Sequence, residues 1–203
     1  MYLEGFKMDK LAAVLAGYLL GSVNFSILIT RFLFGKDIRD GGSGNAGATN
    51  TARQFGIVYG VLVLAGDVLK AVAALYAGTL ICGTDGILYA GAACVAGHCY
   101  PVFHRFKGGK GVAVGATAVF AVDWRVGACA VLFFAVAVFL SKKVSLGSVI
   151  GAMSVPVTAL LISAPWFKLV LAVFVAGLVI ARHAENIKRL RMGTEPDFSL
   201  HPR

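Results

Sequence analysis

Long apolar runs separated by short polar segments are the main pattern of this chain. The runs lie at about 11–34, 57–80, 86–104, 111–122, 126–140, 144–164 and 167–181. An α-helix needs about 20 mostly apolar residues to cross a bilayer, whereas a membrane β-barrel requires short alternating segments, which are absent here. The pattern therefore predicts a single all-α integral membrane domain over residues 1–203, a bundle of about seven transmembrane helices.

The run at 111–122 is shorter than the others. Its 12 residues would cover about 18 Å of a hydrocarbon core that is roughly 30 Å thick. We therefore expect a short fourth helix, or a re-entrant hairpin formed with the next run.

The composition supports a membrane protein. Hydrophobic residues make up 58% of the chain and charged residues 14%, compared with roughly 25% charged residues in soluble domains. The cysteines form no CxxC pair, and with the nearby histidines they match no standard zinc spacing, so we interpret them as packing residues and predict no metal site. They are Cys82, Cys94, Cys99 and Cys129.

Positive charge follows every second predicted span. The connections after the first, third and fifth runs, and the segment after the seventh, carry clusters of Lys and Arg, while the alternate connections are nearly bare. By the positive-inside rule the basic connections are predicted to be cytoplasmic, with the N-terminus outside, in a cell (inner) membrane. The unusual polar segments lie on the same predicted side.

The first of these segments is GGSGNAGATNTAR, residues 41–53. Glycines would let the chain fold tightly around a ligand, short side chains would donate hydrogen bonds, and Arg53 would pair bidentately with a phosphate. A flexible GGSG linker is the alternative. The candidate binding residues are Gly42, Ser43, Gly44, Asn45, Gly47, Thr49 and Asn50.

The second segment, KGGKG at residues 107–111, predicts an anion site. Successive glycine amides at Gly108, Gly109 and Gly111 can form a concave nest for a phosphate, and Lys110 adds a positive charge. The segment is not a Walker A loop, because Gly111 stands where that loop needs a Ser or Thr for Mg²⁺. A flexible basic turn is the alternative.

Further candidates lie near the last spans and in the first. In RHAEN, His183 and Asn186 share a helix face, and a histidine at an interface can act as a general base or simply be interfacial. Ser145 and Ser148 in SLGS, and Ser22 in the first span, are candidate substrate contacts, although Ser22 could instead form an interhelical hydrogen bond. Two charges inside the second span, Asp67 and Lys70, are expected to neutralise each other, to tie this helix to another one, or to serve the site.

Taken in order, GSGNAGATNTAR, GHCYPVFHRFKGGKGVA and RHAENIKRL resemble the motifs of the bacterial acyl-phosphate:glycerol-3-phosphate acyltransferase family. GDVLKA and SLGS are also similar to that family, and the resemblance extends from about Gly21 to Leu190. It implies an enzyme of phospholipid synthesis that moves an acyl chain from acyl phosphate to glycerol 3-phosphate, giving lysophosphatidic acid. It also implies membrane lipid as a partner, and no cofactor, nucleic acid or required protein partner.

The resemblance implies roles for particular residues. Ser43 and Arg53 would be critical groups of the first motif, the second motif with Lys110 would bind phosphate, and His183 and Asn186 would act from the third. The base would be His183 or an oxygen of a substrate phosphate.

Two other functions are considered for the same loops. A thioester-dependent acyltransferase would need a histidine with an aspartate five residues later, and this chain has none. A transporter of a phosphorylated metabolite would need a second opening on the other side, where the predicted connections are short and nearly featureless.

Overall fold

The computed structural model describes residues 2–198, with side chains from Met8 onward, and this part of the chain is helical without a β-strand. The all-α architecture predicted from the apolar runs is confirmed. The helices are α1 Tyr2–Ser22, α2 Phe25–Phe34, α3 Ala48–Phe55, α4 Ile57–Cys82, α5 Gly86–Cys99, α6 Val112–Val122, α7 Trp124–Ser141, α8 Val144–Leu161, α9 Trp166–Arg182 and α10 Ala184–Arg191.

Four helical segments within residues 2–198 are long and apolar enough to cross a membrane: Met8–Phe34, Ile57–His104, Trp124–Ser141 and Val144–Leu161. A fifth is added if α9 and α10, which meet at a bend of 60°, count as one span. The second segment folds back on itself between α4 and α5. The two helices touch there, as shown by Gly78, on which a Cβ would lie 2.4 Å from the carbonyl oxygen of Gly86.

The first apolar run, expected to span the membrane at about 11–34, lies in one candidate span, Met8–Phe34, but the helix is interrupted within it. Helix α1 ends at Ser22, and the Asn24 side chain caps α2 by accepting a hydrogen bond from the amide of Ile27 at 3.0 Å. The carbonyl of Val23 accepts a 2.6 Å hydrogen bond from the Lys70 ammonium of α4. A side chain far away in sequence therefore compensates for the missing helical bond.

Helix α5 ends at Cys99, not at residue 104 as the third apolar run predicts. Proline disfavours the helical conformation of the residue before it, and Pro101 follows Tyr100 at this point. The chain then makes a turn at Val102–His104 and runs back to the end of α5. This early end leaves space among the helices for the segment that carries Lys110.

Close contacts between α1 and α5 hold these two helices together beside the segment that carries Lys110. A Cβ on Gly17 or Gly21 of α1 would lie within 2.4 Å of a backbone oxygen of α5, so only glycine permits this approach. Helix α6 is short, as expected for the 111–122 run, and a single residue, Asp123, separates it from α7.

Candidate active site

One cavity of about 940 Å³ gathers residues from all the polar segments singled out in the sequence. Its walls come from α3, α4, α6, α7, α8 and α9, and most of its lining is apolar. Polar side chains are concentrated where α3, α8 and α10 meet the segment before α6. They are Ser43, Asn45, Thr49, Asn50, Arg53, Lys110, Ser145, Ser148, His183, Asn186 and Glu195.

A chain of hydrogen bonds links Lys110 to the C-terminal segment. The Lys110 ammonium donates to Oδ1 of Asn186, and Nδ2 of Asn186 donates to Glu195 at 2.7 Å. Arg189 donates to the other carboxylate oxygen of Glu195, also at 2.7 Å. Burial lowers the pKa of Lys110 to about 8 despite the attraction of Glu195. Lys110 is therefore a half-buried cation at neutral pH, which Asn186 holds on one side and which is open to the cavity.

His183 lies at the bend between α9 and α10 and is 3% exposed. Its Nδ1 lies 2.8 Å from the carbonyl oxygen of Val179, and since a carbonyl only accepts, Nδ1 carries the proton. Burial, reinforced by the nearby charge of Lys110, lowers the pKa of His183 to about 4. The imidazole is thus neutral at physiological pH, with the lone pair of Nε2 available as a base.

The glycines before Lys110 do not form the predicted phosphate nest, because their amides are already used. Gly108 donates to the carbonyl of Cys99 at 3.3 Å, and Gly109 donates to that of His98 at 3.0 Å. Neither glycine lines the cavity, whereas Gly111 does. A Cβ on Gly109 would lie 2.1 Å from Nε2 of His98, so close packing explains that glycine.

The first motif is a structured loop, and its second half is helix α3. Asn50 is 1% exposed, and its side chain accepts from the amide of Ser43 and donates to backbone carbonyls of the loop, among them Asn45 at 3.0 Å. The polar atoms of Asn50 therefore organise the loop, which differs from the substrate-binding role predicted for them. Gly42 and Gly44 have left-handed φ angles of 59° and 67° and lie outside the cavity wall.

Three of the remaining predicted contacts line the cavity, and Ser22 does not. Arg53 lies on the cavity wall, and its guanidinium also donates to the carbonyl of Pro196 at 3.3 Å. The hydroxyl of Ser145 is buried beside the carboxylate of Glu195 and helps to hold the pKa of that group below its usual value. Ser148 donates to a carbonyl of its own helix. Ser22 lies outside the cavity and donates to the carbonyl of Tyr18, so it forms a packing contact and not a substrate contact.

Sequence reasoning missed two residues that hold the site together. Glu195 lies beyond the last motif and orients Asn186. Burial raises the pKa of Glu195, but the groups that donate hydrogen bonds to it outweigh that effect and hold its pKa below the usual value. In the sequence Arg182 is only one of the basic residues after the seventh run, yet it donates to the carbonyl of Gly109 at 3.2 Å and so fixes the segment before Lys110. An acidic residue following a basic helix was the only sequence signal for Glu195.

Below this centre lies a cluster of buried charges. The Lys70 ammonium is 2.9 Å from Oδ1 of Asp67 and 2.9 Å from Nδ1 of His98. Nδ1 is 3.5 Å from the carboxylate, so the closer ammonium is its hydrogen-bond donor. Asp67 and His98 both reach the cavity wall. Within residues 2–198 no group of three or more His, Cys, Asp or Glu is arranged to hold a metal ion.

Comparison with known proteins agrees with the resemblance seen in the motifs. The family model described as glycerol-3-phosphate acyltransferase matches residues 11–193. A protein of Carboxydothermus hydrogenoformans named glycerol-3-phosphate acyltransferase is 40% identical over 188 residues, covering 93% of this chain and 95% of the relative.

Two crystal structures show the same fold. Both are of PlsY (YgiH), an integral membrane glycerol 3-phosphate acyltransferase. The glycerol 3-phosphate form superposes with a TM-score of 0.87 at 40% identity, and the lysophosphatidic acid form with a TM-score of 0.83 at 37% identity. Each comparison covers 94% of this chain and 96% of the other. The chain therefore belongs to the glycerol-3-phosphate acyltransferase family.

Proposed function

We propose that this protein transfers an acyl chain from acyl phosphate to the 1-hydroxyl of glycerol 3-phosphate, releasing lysophosphatidic acid and inorganic phosphate. The observation that carries this proposal is the cavity of about 940 Å³, which has cations at its polar end and an apolar remainder. Both substrates contain phosphate, and only the donor has a long acyl tail. A single cavity with a cationic end and an apolar remainder therefore suits both substrates.

The polar end supplies the groups for anion binding. Lys110 and Arg53 lie on the same cavity wall and bear the charges that a phosphate attracts. Lys110 is desolvated, which strengthens its interaction with an anion. We assign Lys110 and Arg53 to the two phosphates, Ser145 to a substrate hydroxyl, and Ser43 to the oxygen that becomes negative in the transition state.

His183 is assigned as the general base. Its Nε2 takes the proton of the acceptor hydroxyl while the hydroxyl oxygen bonds to the acyl carbon. The bond from that carbon to the phosphate oxygen then breaks, and phosphate leaves with the electron pair. Asn186 acts by holding the Lys110 ammonium, since its Oδ1 already accepts from that group.

The apolar part of the cavity would hold the acyl tail. Its walls include Leu64 of α4, Phe120 of α6 and Phe134 of α7. The polar end is formed by segments whose lysines and arginines follow every second apolar run. We therefore place this end on the cytoplasmic side of the cell membrane, where the acceptor is water-soluble.

Phosphate release by the purified full-length protein in lipid nanodiscs tests the reaction. Release from acyl phosphate should require glycerol 3-phosphate, and EDTA should leave it unchanged. Acyl-CoA should not replace acyl phosphate; equal turnover with the thioester would contradict the proposed donor.

A variant of His183 tests the assignment of the general base. His183→Gln should lower kcat by at least about 100-fold, in the range expected for loss of a positioned base. A base role for a substrate phosphate instead predicts a much smaller loss for this variant. Cysteine labelling tests the sidedness: a cysteine at Lys142, in a background without the four native cysteines, should not react with an impermeant reagent added outside sealed cells.

A further inference from the structure

The bend between α9 and α10 has two faces with different chemistry. The inner face carries His183 and Asn186 toward the cavity described above. The outer face forms a second, open cavity of about 520 Å³, which shares no residue with the first. It is lined by Ile180, Ala181, Ala184, Ile187, Lys188, Arg191 and Met192.

The outer cavity continues an exposed apolar face of α9. Val170 is 59% exposed and Phe174 is 42% exposed, and Gly177 and Ala181 follow on the same side at helical spacing. A Cβ on Gly177 would meet no atom within 4 Å, so the helix surface is open there. In a bilayer such a face contacts lipid chains, so the lower part of the outer cavity is suited to an acyl chain.

The upper part of the outer cavity is cationic. Lys188 and Arg191 are exposed, lie three residues apart on one face of α10, and form no ion pair within the described chain. Arg189 differs, since it turns inward to Glu195. Glu185 is the acidic residue of α10, and it too has no ion pair with these cations. Two unneutralised cations thus lie at the membrane boundary, directly above an apolar groove.

We propose that this elbow binds an anionic phospholipid of the surrounding bilayer, with its phosphate between Lys188 and Arg191 and one acyl chain along the outer face of α9. Charge complementarity selects an anionic over a zwitterionic headgroup. The separation of the two cavities makes the bilayer the source of this lipid. The same elbow holds Asn186 against Lys110, so a lipid bound in the outer cavity stabilises the observed bend and raises turnover. The effect on turnover rests on the proposed function, whereas the binding of the lipid does not.

Binding is tested without measuring activity. A fluorophore is attached at Ala184→Cys in the full chain lacking the four native cysteines, and its quenching by spin-labelled phosphatidylglycerol and by spin-labelled phosphatidylcholine is compared in nanodiscs. Phosphatidylglycerol should quench at lower mole fraction. Lys188→Ala/Arg191→Ala should weaken this preference about thirty-fold, since each interfacial cation contributes about 1 kcal/mol and about 1.4 kcal/mol is tenfold.

The matched control removes two exposed cations elsewhere, Lys36→Ala/Lys107→Ala, and should retain the preference of the unmodified chain. Equal quenching by both lipids, or an unchanged preference in Lys188→Ala/Arg191→Ala, would overturn the site. Turnover in phosphatidylcholine nanodiscs should be the same for both double variants, and added phosphatidylglycerol should raise it only where Lys188 and Arg191 are present. Unchanged turnover of the unmodified chain on that addition would overturn the coupling.

Discussion

Removing the buried ammonium of Lys70 should destabilise the protein more than any single loss at the surface. Lys70 is 4% exposed, and its ammonium meets three acceptors: the carboxylate of Asp67, Nδ1 of His98 and the carbonyl of Val23. Lys70→Met keeps the length of the side chain and deletes the charge. It leaves the Asp67 carboxylate, also 4% exposed, without its cation, and it leaves the Val23 carbonyl at the helix break without a donor.

The magnitude follows from those lost partners. Leaving one member of a buried ion pair uncompensated typically costs about 3–5 kcal/mol, whereas replacing both members by neutral groups is often nearly neutral. Asp67→Asn should cost less than Lys70→Met, because the ammonium keeps two acceptors in His98 and Val23. In a chain of this size about 1 kcal/mol corresponds to roughly 2–4 °C, so Lys70→Met should lower the Tm by about 6–20 °C.

A double-mutant cycle measures the coupling. Tm is recorded for purified Lys70→Met, Asp67→Asn and the double variant, with the exposed Lys107→Met as the matched control. The double variant should melt above Lys70→Met, with a coupling energy of at least about 1 kcal/mol. If Lys70→Met melted at the temperature of Lys107→Met, or if the two single effects simply added, the interpretation of this cluster as a compensated charge pair would be wrong.

Other predictions concern the cavity. The KM for glycerol 3-phosphate should rise as the pH increases through about 8, because Lys110 loses its proton there; Lys110→Arg should not show this rise, and an identical profile in that variant would assign the titration to another group. Ser43→Ala and Arg53→Lys should each reduce activity at least about tenfold with little change in Tm, because an oxyanion donor or a bidentate phosphate partner is lost; full activity in both would make the first motif a spacer. For His183 the folded pKa of about 4 lies below the ordinary 6.5. As the pH falls, the unfolded chain therefore takes up a proton at a higher pH than the folded chain does. About 3 kcal/mol of the free energy of unfolding should be lost between about pH 6.5 and about pH 4. Chemical unfolding of His183→Gln should lack this loss, and an equal loss in that variant would refute it.

The sequence predicted the features that depend on local pattern. Apolar length identified the helical membrane class. The spacing of His183 and Asn186 predicted that both face one side, and both line the cavity, although His183 lies at the bend before α10 and not within a helix. The break after Ser22 could not be read from the chain, because the donor that stabilises it, Lys70, comes from another helix. The amides of Gly108 and Gly109 were misassigned for the same reason: their acceptors are the last carbonyls of α5, whose end was predicted five residues too late.

The C-terminal segment that carries Glu195 has a consequence for biogenesis. Lys143 donates to the carbonyl of Glu195 at 2.8 Å, and the amide of Phe198 donates to the carbonyl of Lys142 at 2.7 Å, so residues made late in translation join loops made much earlier. Helices inserted in order from the ribosome would hold Lys110 in the membrane region before Asn186 and Glu195 exist. A nascent chain stalled before α10 should therefore be sensitive to proteolysis around Lys110, because the residues that hold its ammonium have not yet been made.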